Sequence, residues 1–218
     1  MTCSIQLLEN DLLLVVDVQK DFFTDGVLAI PNAEVILPVI NNLVRVFPHV
    51  VLTQDWHPKG HSSFASAYDE FNPNETVALI NGGIRSVWPD YCVRGTEGAR
   101  FHPDLNISTA ELILRKGYNP DIDSYSAFFE NDRATPTGLE GYLRERELDR
   151  IFLSGLATDF CIFNTAMDAR KLGFEVFVIE DACMEIDIDG SLEDAWLDMG
   201  RAGVHRVMEE DLEASVYV

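Results

Sequence analysis

Leu12-Leu13-Leu14-Val15-Val16 is a continuous apolar run bounded by Asp11 and Asp17. A run without alternation is how a strand covered on both faces of a parallel sheet reads. Shorter runs of the same kind lie at residues 50–53, 112–114, 151–153 and 176–179, and a last short strand is expected at 205–208. Helical patterns fill most of the intervals between them. One is expected from about residue 33 to 47, with Pro38 marking where its regular part begins, and others at 137–147, 160–172 and 191–200. In the third of these, Phe160, Phe163, Met167 and Leu172 recur at helical spacing and Gly173 is placed to end the helix. Ser191 with Asp194 resembles a capping box at the start of the fourth. Alternating strands and helices predict an α/β fold, a doubly wound parallel sheet with helices on both faces. Residues 56–109 break the alternation and are rich in Gly, Pro and Asn, so they read as a long loop-rich segment.

In such sheets ligands bind beyond the carboxyl ends of the strands, so those ends are where chemistry is sought. The first strand ends at Asp17, the second at Asp55, the third at Lys116, and the fourth leads through Gly155 to Cys161 in the first turn of a helix. Free N–H groups and the positive end of the helix dipole favour thiolate there. Taken singly, Cys161 reads equally well as a small buried apolar residue, and Asp17 or Lys116 as half of a structural ion pair. Together they supply a nucleophile, a base and a cation, the groups that covalent acyl transfer requires.

Composition narrows the setting. With 218 residues and 47% hydrophobic content, the chain reads as one domain over residues 1–218. A formal charge of −21 argues against a nucleic-acid partner, and the acid concentrated at 180–198 and 209–213 reads as a solvated face. No apolar run nears the ~20 residues of a membrane span, and Met1-Thr2-Cys3-Ser4 lacks the charged start of an export signal. Cys3, Cys92, Cys161 and Cys183 show no paired spacing, which fits a reducing compartment. The expectation is a cytoplasmic protein acting on a small molecule, without nucleic acid or membrane, its homo-oligomeric state left open.

Five segments in order add a resemblance. They are Val16-Asp17-Val18-Gln19-Lys20-Asp21-Phe22, Gln54-Asp55-Trp56-His57-Pro58, Trp88-Pro89-Asp90-Tyr91-Cys92-Val93, Arg115-Lys116-Gly117, and Gly155-Leu156-Ala157-Thr158-Asp159-Phe160-Cys161. With them the chain resembles the nicotinamidase branch of the isochorismatase-like cysteine hydrolases from about residue 11 to 208. The resemblance implies hydrolysis of nicotinamide to nicotinic acid and ammonia, a step of NAD salvage, through a thioester on Cys161. Asp17 would move the proton and Lys116 would hold Asp17 ionised while favouring the thiolate. The backbone N–H groups of Ala157 and Cys161 would receive the oxyanion, after a cis Leu156–Ala157 bond. Phe22 and Trp88 match positions that flank the pyridine ring, and Tyr125 is placed beside them or in the core.

The resemblance also implies a divalent ion, zinc first with iron or manganese as alternatives. Asp55 and His57, two apart in an extended segment, point to one side and correspond to its ligands. The third position, a histidine in the resemblance, is Tyr91 here, a neutral phenol and a weaker ligand. His61 is then the candidate to supply the missing nitrogen, unless it merely hydrogen-bonds the loop. Two other readings remain open: a related hydrolase acting on another small amide, and a catalytically silent relative that only binds.

Overall fold

The computed structural model of the chain describes residues 4–69, 72–73, 76–78 and 84–213. Cys3 lies outside the described residues. The strands are β1 (Ile5–Gln6), β2 (Asp11–Val16), β3 (His49–Asp55), β4 (Thr76–Ala78), β5 (Ile84–Ser86), β6 (Leu112–Lys116), β7 (Arg150–Leu156), β8 (Glu175–Met184), β9 (His205–Val207) and β10 (Leu212–Glu213). The helices are α1 (Ile36–Val46), α2 (Leu139–Glu145), α3 (Phe163–Lys171) and α4 (Ser191–Arg201). Six strands form one parallel sheet in the order β6-β3-β2-β7-β8-β9. The chain runs outward from β2 through β3 to β6, returns to the other side of β2 with β7, and continues to β8 and β9. The strand order reverses between β2 and β7, so these two flank the switch point where ligands bind in open α/β sheets.

All six residues of β2 are buried. Successive side chains of a strand face opposite sides, and the two faces of β2 divide accordingly. Leu13 and Val15 pack with Ile36, Ile40 and Leu43 of α1, while Leu12, Leu14 and Val16 pack with Leu139 and Leu143 of α2, Ala166 and Ala169 of α3, and Met199 of α4. Each such buried aliphatic side chain contributes roughly 1.5–3 kcal/mol, which is why the run has no polar member. The doubly wound architecture expected from the sequence is the one observed.

Three local expectations are corrected. The third helix does not start as a regular helix: Thr158–Ile162 forms a π-helical turn and α3 follows from Phe163. Its core face is also different. Phe160, Phe163, Met167 and Leu172 are only half-buried, and the buried side is Ile162, Thr165, Ala166 and Ala169, because small residues let the helix lie close against the sheet. Ser191 does not make a capping box: Gly190 is the N-cap, and the Ser191 hydroxyl donates instead to Asp159. The same carboxylate accepts the N–H groups of Ile186 and Asp187 at 3.0 and 2.9 Å, tying the loop after β8 to the turn before α3.

Gly155, one residue before the end of β7, sits at φ +112°, and a Cβ there would lie 2.1 Å from the Val16 carbonyl oxygen. Only glycine lets β7 approach β2 this closely. The loop-rich segment holds the short antiparallel pair β4 and β5. No described helix is long and apolar enough to cross a membrane.

Candidate active site

Four neighbouring strands deliver the site. β2 hands over to Asp17, whose φ of +51° turns the chain off the sheet. β3 carries Thr53 and Asp55 on one face, and β6 places Lys116 directly opposite Asp55 in the pairing register. β7 leads across a cis Leu156–Ala157 bond into the turn that holds Cys161. Gln19 fixes the backbone of Asp55 from both sides: its Nε2 donates to the Asp55 carbonyl at 2.9 Å and its Oε1 accepts the Asp55 N–H at 2.8 Å.

Lys116 is the hub. Its Nζ donates to Asp55 Oδ1 at 2.5 Å, to the Ser124 carbonyl at 2.9 Å and to Cys161 Sγ at 3.5 Å, and lies 2.8 Å from Asp17 Oδ2. Ligand atoms of Asp17, Asp55 and Cys161 all lie within 4.8 Å of one another. All four side chains are buried, so charge here is felt far more strongly than in water. Burial alone would lower the Lys116 pKa, but the Asp17 and Asp55 carboxylates override it and hold the ammonium well above the usual lysine range. Asp55 is pushed up to about 6 by burial and then by the charge of Asp17, with Lys116 opposing.

Cys161 departs from the expectation of a resting thiolate. Burial pushes its thiol well above the usual range, the two carboxylates add to this, and Lys116 only partly offsets them. The proton therefore stays on sulfur until a base removes it. Asp17 and Asp55 are the carboxylates grouped with that sulfur.

Above the sulfur is a narrow pocket. Phe22, Trp88, Tyr125 and Phe160 provide its aromatic walls, Leu28 and Ile186 are apolar lining residues, and Ala157, Cys161, Asp55 and Tyr91 complete it. The Trp88 indole N–H donates to the Tyr125 hydroxyl at 3.0 Å, and both rings meet Phe160 edge-on at 5.2 and 5.8 Å. The three aromatic residues singled out in the sequence thus come together beside the cysteine.

The second cluster adjoins this pocket through Tyr91. His57, His61 and Asp123, all buried, bring ligand atoms within 4.8 Å of one another. His57 Nε2 lies 3.2 Å from Asp123 Oδ1, and His57 Nδ1, buried, has no partner among the described residues. His61 Nε2 donates to the Ile122 carbonyl at 3.3 Å while its Nδ1 accepts the Ser63 N–H at 3.1 Å, so it does hydrogen-bond the loop. Burial by itself would raise Asp123, but its hydrogen bonds from His57 and Ser63 and the charge of His57 hold it well below the usual carboxylate range. Tyr91 stacks edge-on to His57 at 4.8 Å, and burial raises its phenol well above the ordinary value, so it is a neutral neighbour. Two imidazoles and a carboxylate, with an unpartnered ring nitrogen, fit a divalent ion that accepts nitrogen and oxygen ligands. Asp55 belongs to the group with Asp17 and Cys161; the carboxylate grouped with both histidines is Asp123.

An isochorismatase domain model matches residues 11–209. The chain belongs to the isochorismatase family. Within this family, it is 49% identical over 203 residues to a nicotinamidase of Acinetobacter baylyi, covering 93% of this chain and 94% of that one. A solved nicotinamidase/pyrazinamidase of Acinetobacter baumanii is 52% identical, with a TM-score of 0.91 and coverage of 94% and 98%. A pyrazinamidase of Pyrococcus horikoshii solved in complex with zinc is 34% identical, with a TM-score of 0.74 and coverage of 91% and 99%. The isochorismatase fold is thus observed over nearly the whole chain.

Sequence reasoning missed Asp123, Ser124 and Thr53. Asp123 sits in Asp121-Ile122-Asp123-Ser124, where nothing distinguishes a buried acid from an exposed one. Ser124 acts through its carbonyl, which no side-chain pattern announces. Thr53 did leave a signal, a hydroxyl two residues before Asp55 and so on the same face of a buried strand.

Proposed function

We propose that this chain is a nicotinamidase that hydrolyses nicotinamide to nicotinic acid and ammonia through a Cys161 thioester. The observation that carries the reading is the buried contact of Asp17, Lys116 and Cys161 at the base of an aromatic pocket, placed at the switch point of the sheet. The kinship with nicotinamidases supports the choice of substrate.

The pocket walls hold a flat ring and exclude water. Asp17 takes the Cys161 proton as sulfur attacks the carboxamide carbon, and the oxyanion that forms is received by the Ala157 and Cys161 backbone N–H groups. Asp17 then returns the proton to the nitrogen, which leaves as ammonia. Water, deprotonated by Asp17, attacks the thioester carbon; the acid departs, and the proton restores the thiol. Lys116 stays protonated throughout and balances the charge that passes between carboxylate and sulfur.

A divalent ion, with zinc, iron or manganese as candidates, would be held by His57 and His61 with a carboxylate from Asp123 or Asp55. Bound there, it supplies a fixed positive charge able to hold the pyridine nitrogen or a water. The described cysteines are all free, which supports a reducing, cytoplasmic setting.

The test is ammonia release from nicotinamide by the parent and by Cys161→Ala. The parent is expected to turn over and the variant to lose all measurable activity while keeping its melting curve, since a Cys to Ala change removes few contacts. No release by metal-supplemented parent, or turnover by the variant within about tenfold of it, would overturn the reading.

A further inference from the structure

Thr53 is fully buried, does not line the pocket, and yet uses both of its hydrogen-bonding functions on one catalytic group. Its Oγ1 accepts the Asp17 backbone N–H at 3.1 Å and donates its proton to Asp17 Oδ1 at 2.6 Å. Asp17 stands at φ +51°, a left-handed conformation that residues with a side chain adopt uncommonly. The reciprocal pair with Thr53 anchors that conformation and the rotation of the carboxylate together.

The two carboxylate oxygens are thereby made unlike. Oδ1 is engaged by a hydroxyl donor. Oδ2 lies 2.8 Å from Lys116 Nζ, but the three ammonium protons have acceptors in Asp55, the Ser124 carbonyl and Cys161 Sγ. Oδ2 accordingly accepts no aligned hydrogen bond among the described residues. It is the oxygen with a lone pair open to a new proton.

We propose that Thr53 is a positioning residue that selects the proton acceptor: by occupying Oδ1 and fixing the carboxylate plane, it presents Oδ2 to the thiol of Cys161. The inference rests on Asp17 as the base. The proton passes from Sγ to Oδ2 and from Oδ2 to the leaving nitrogen, and the Thr53 proton stays on Oγ1 throughout. What the site requires of residue 53 is a hydroxyl rather than a shape.

The experiment compares the full chain with Thr53→Ser, Thr53→Val, Thr53→Ala and Asp17→Asn, reading kcat, KM and the rate at which iodoacetamide alkylates Cys161. Val and Ala are expected to lower kcat about tenfold or more with KM within about twofold, and Ser to stay within about threefold of the parent. Alkylation should slow in step with kcat, because it needs the same proton removed from sulfur. Where Val fails to melt cooperatively, the contrast of Ala with Ser decides. Parental kcat without the hydroxyl, alongside an inactive Asp17→Asn, would overturn the role of Thr53 and leave the base in place. Ser as impaired as Val would make the role one of packing, and failure of both hydroxyl-free variants to fold would make it structural; either overturns the proposal. An active Asp17→Asn would remove the base itself, and the proposal with it.

Discussion

Lys116 has three ammonium protons and four neighbours able to take one: two carboxylates, a carbonyl and a thiol sulfur. A buried cation shared this way holds the cluster together and sets its charge. Replacing Lys116 by Met would leave Asp17 and Asp55 without a counter-charge, a loss of roughly 3–5 kcal/mol for a broken buried pair. Denaturant unfolding should show that loss, and kcat/KM should fall by orders of magnitude. Asp17→Asn should lose comparable activity with less stability. If both act through the same thiol, as proposed, the double variant should lose far less than the sum of the two logarithms, and additive losses would show that one residue serves only the fold. At the second cluster, Tyr91→His would place an imidazole beside His57, and calorimetric titration with zinc should show binding tightened about tenfold or more. Asp123→Asn and Asp55→Asn, titrated the same way, identify the carboxylate that holds the ion: the true ligand should weaken binding at least about tenfold and the other should change it little.

At the scale of elements, how legible the fold was depended on how far burial alone decides a residue. β2 was readable because a strand covered on both faces admits only apolar side chains. α3 was misread because its core face is made of Thr165, Ala166 and Ala169, whose small size suits close packing, while the large-residue stripe of Phe160, Phe163, Met167 and Leu172 is only half-buried. Ser191 has the right residue type for a cap, yet its hydroxyl went to Asp159 from another part of the chain, a choice made by tertiary contact. The grouping of Asp17, Asp55, Lys116 and Cys161 was legible because parallel strands end on one rim. The carboxylate beside the histidines was not, because its segment carries no periodicity. Gly155 shows the same dependence on approach. Gly155→Ala would force a Cβ into the Val16 carbonyl, and a loss of roughly 3–5 kcal/mol is expected in equilibrium unfolding, with activity falling because the Cys161 turn follows directly. A fall below about 1 kcal/mol would mean that the two strands separate easily.

For the whole molecule, a net charge of −21 sets a field that no single ion pair offsets. Exposed pairs such as Lys20 with Glu97 contribute little, whereas the summed repulsion acts over the full surface. Raising salt from about 10 to about 150 mM shortens the screening length from ~30 to ~8 Å, so the melting temperature should rise by several degrees at fixed pH. A flat response would show that the acidic groups are already well separated. The central strand carries a different consequence. Asp11 at the head of β2 pairs with Arg150, so the first long strand to be synthesised waits for a partner from the far half of the chain. A growing polypeptide therefore exposes Asp17 and Lys116 well before Cys161 exists, and the thiol meets them only when β7 docks beside β2. Such distant pairing is slow to form. During refolding, turnover should return only once β7 has docked beside β2, which makes the enzyme its own reporter of that pairing.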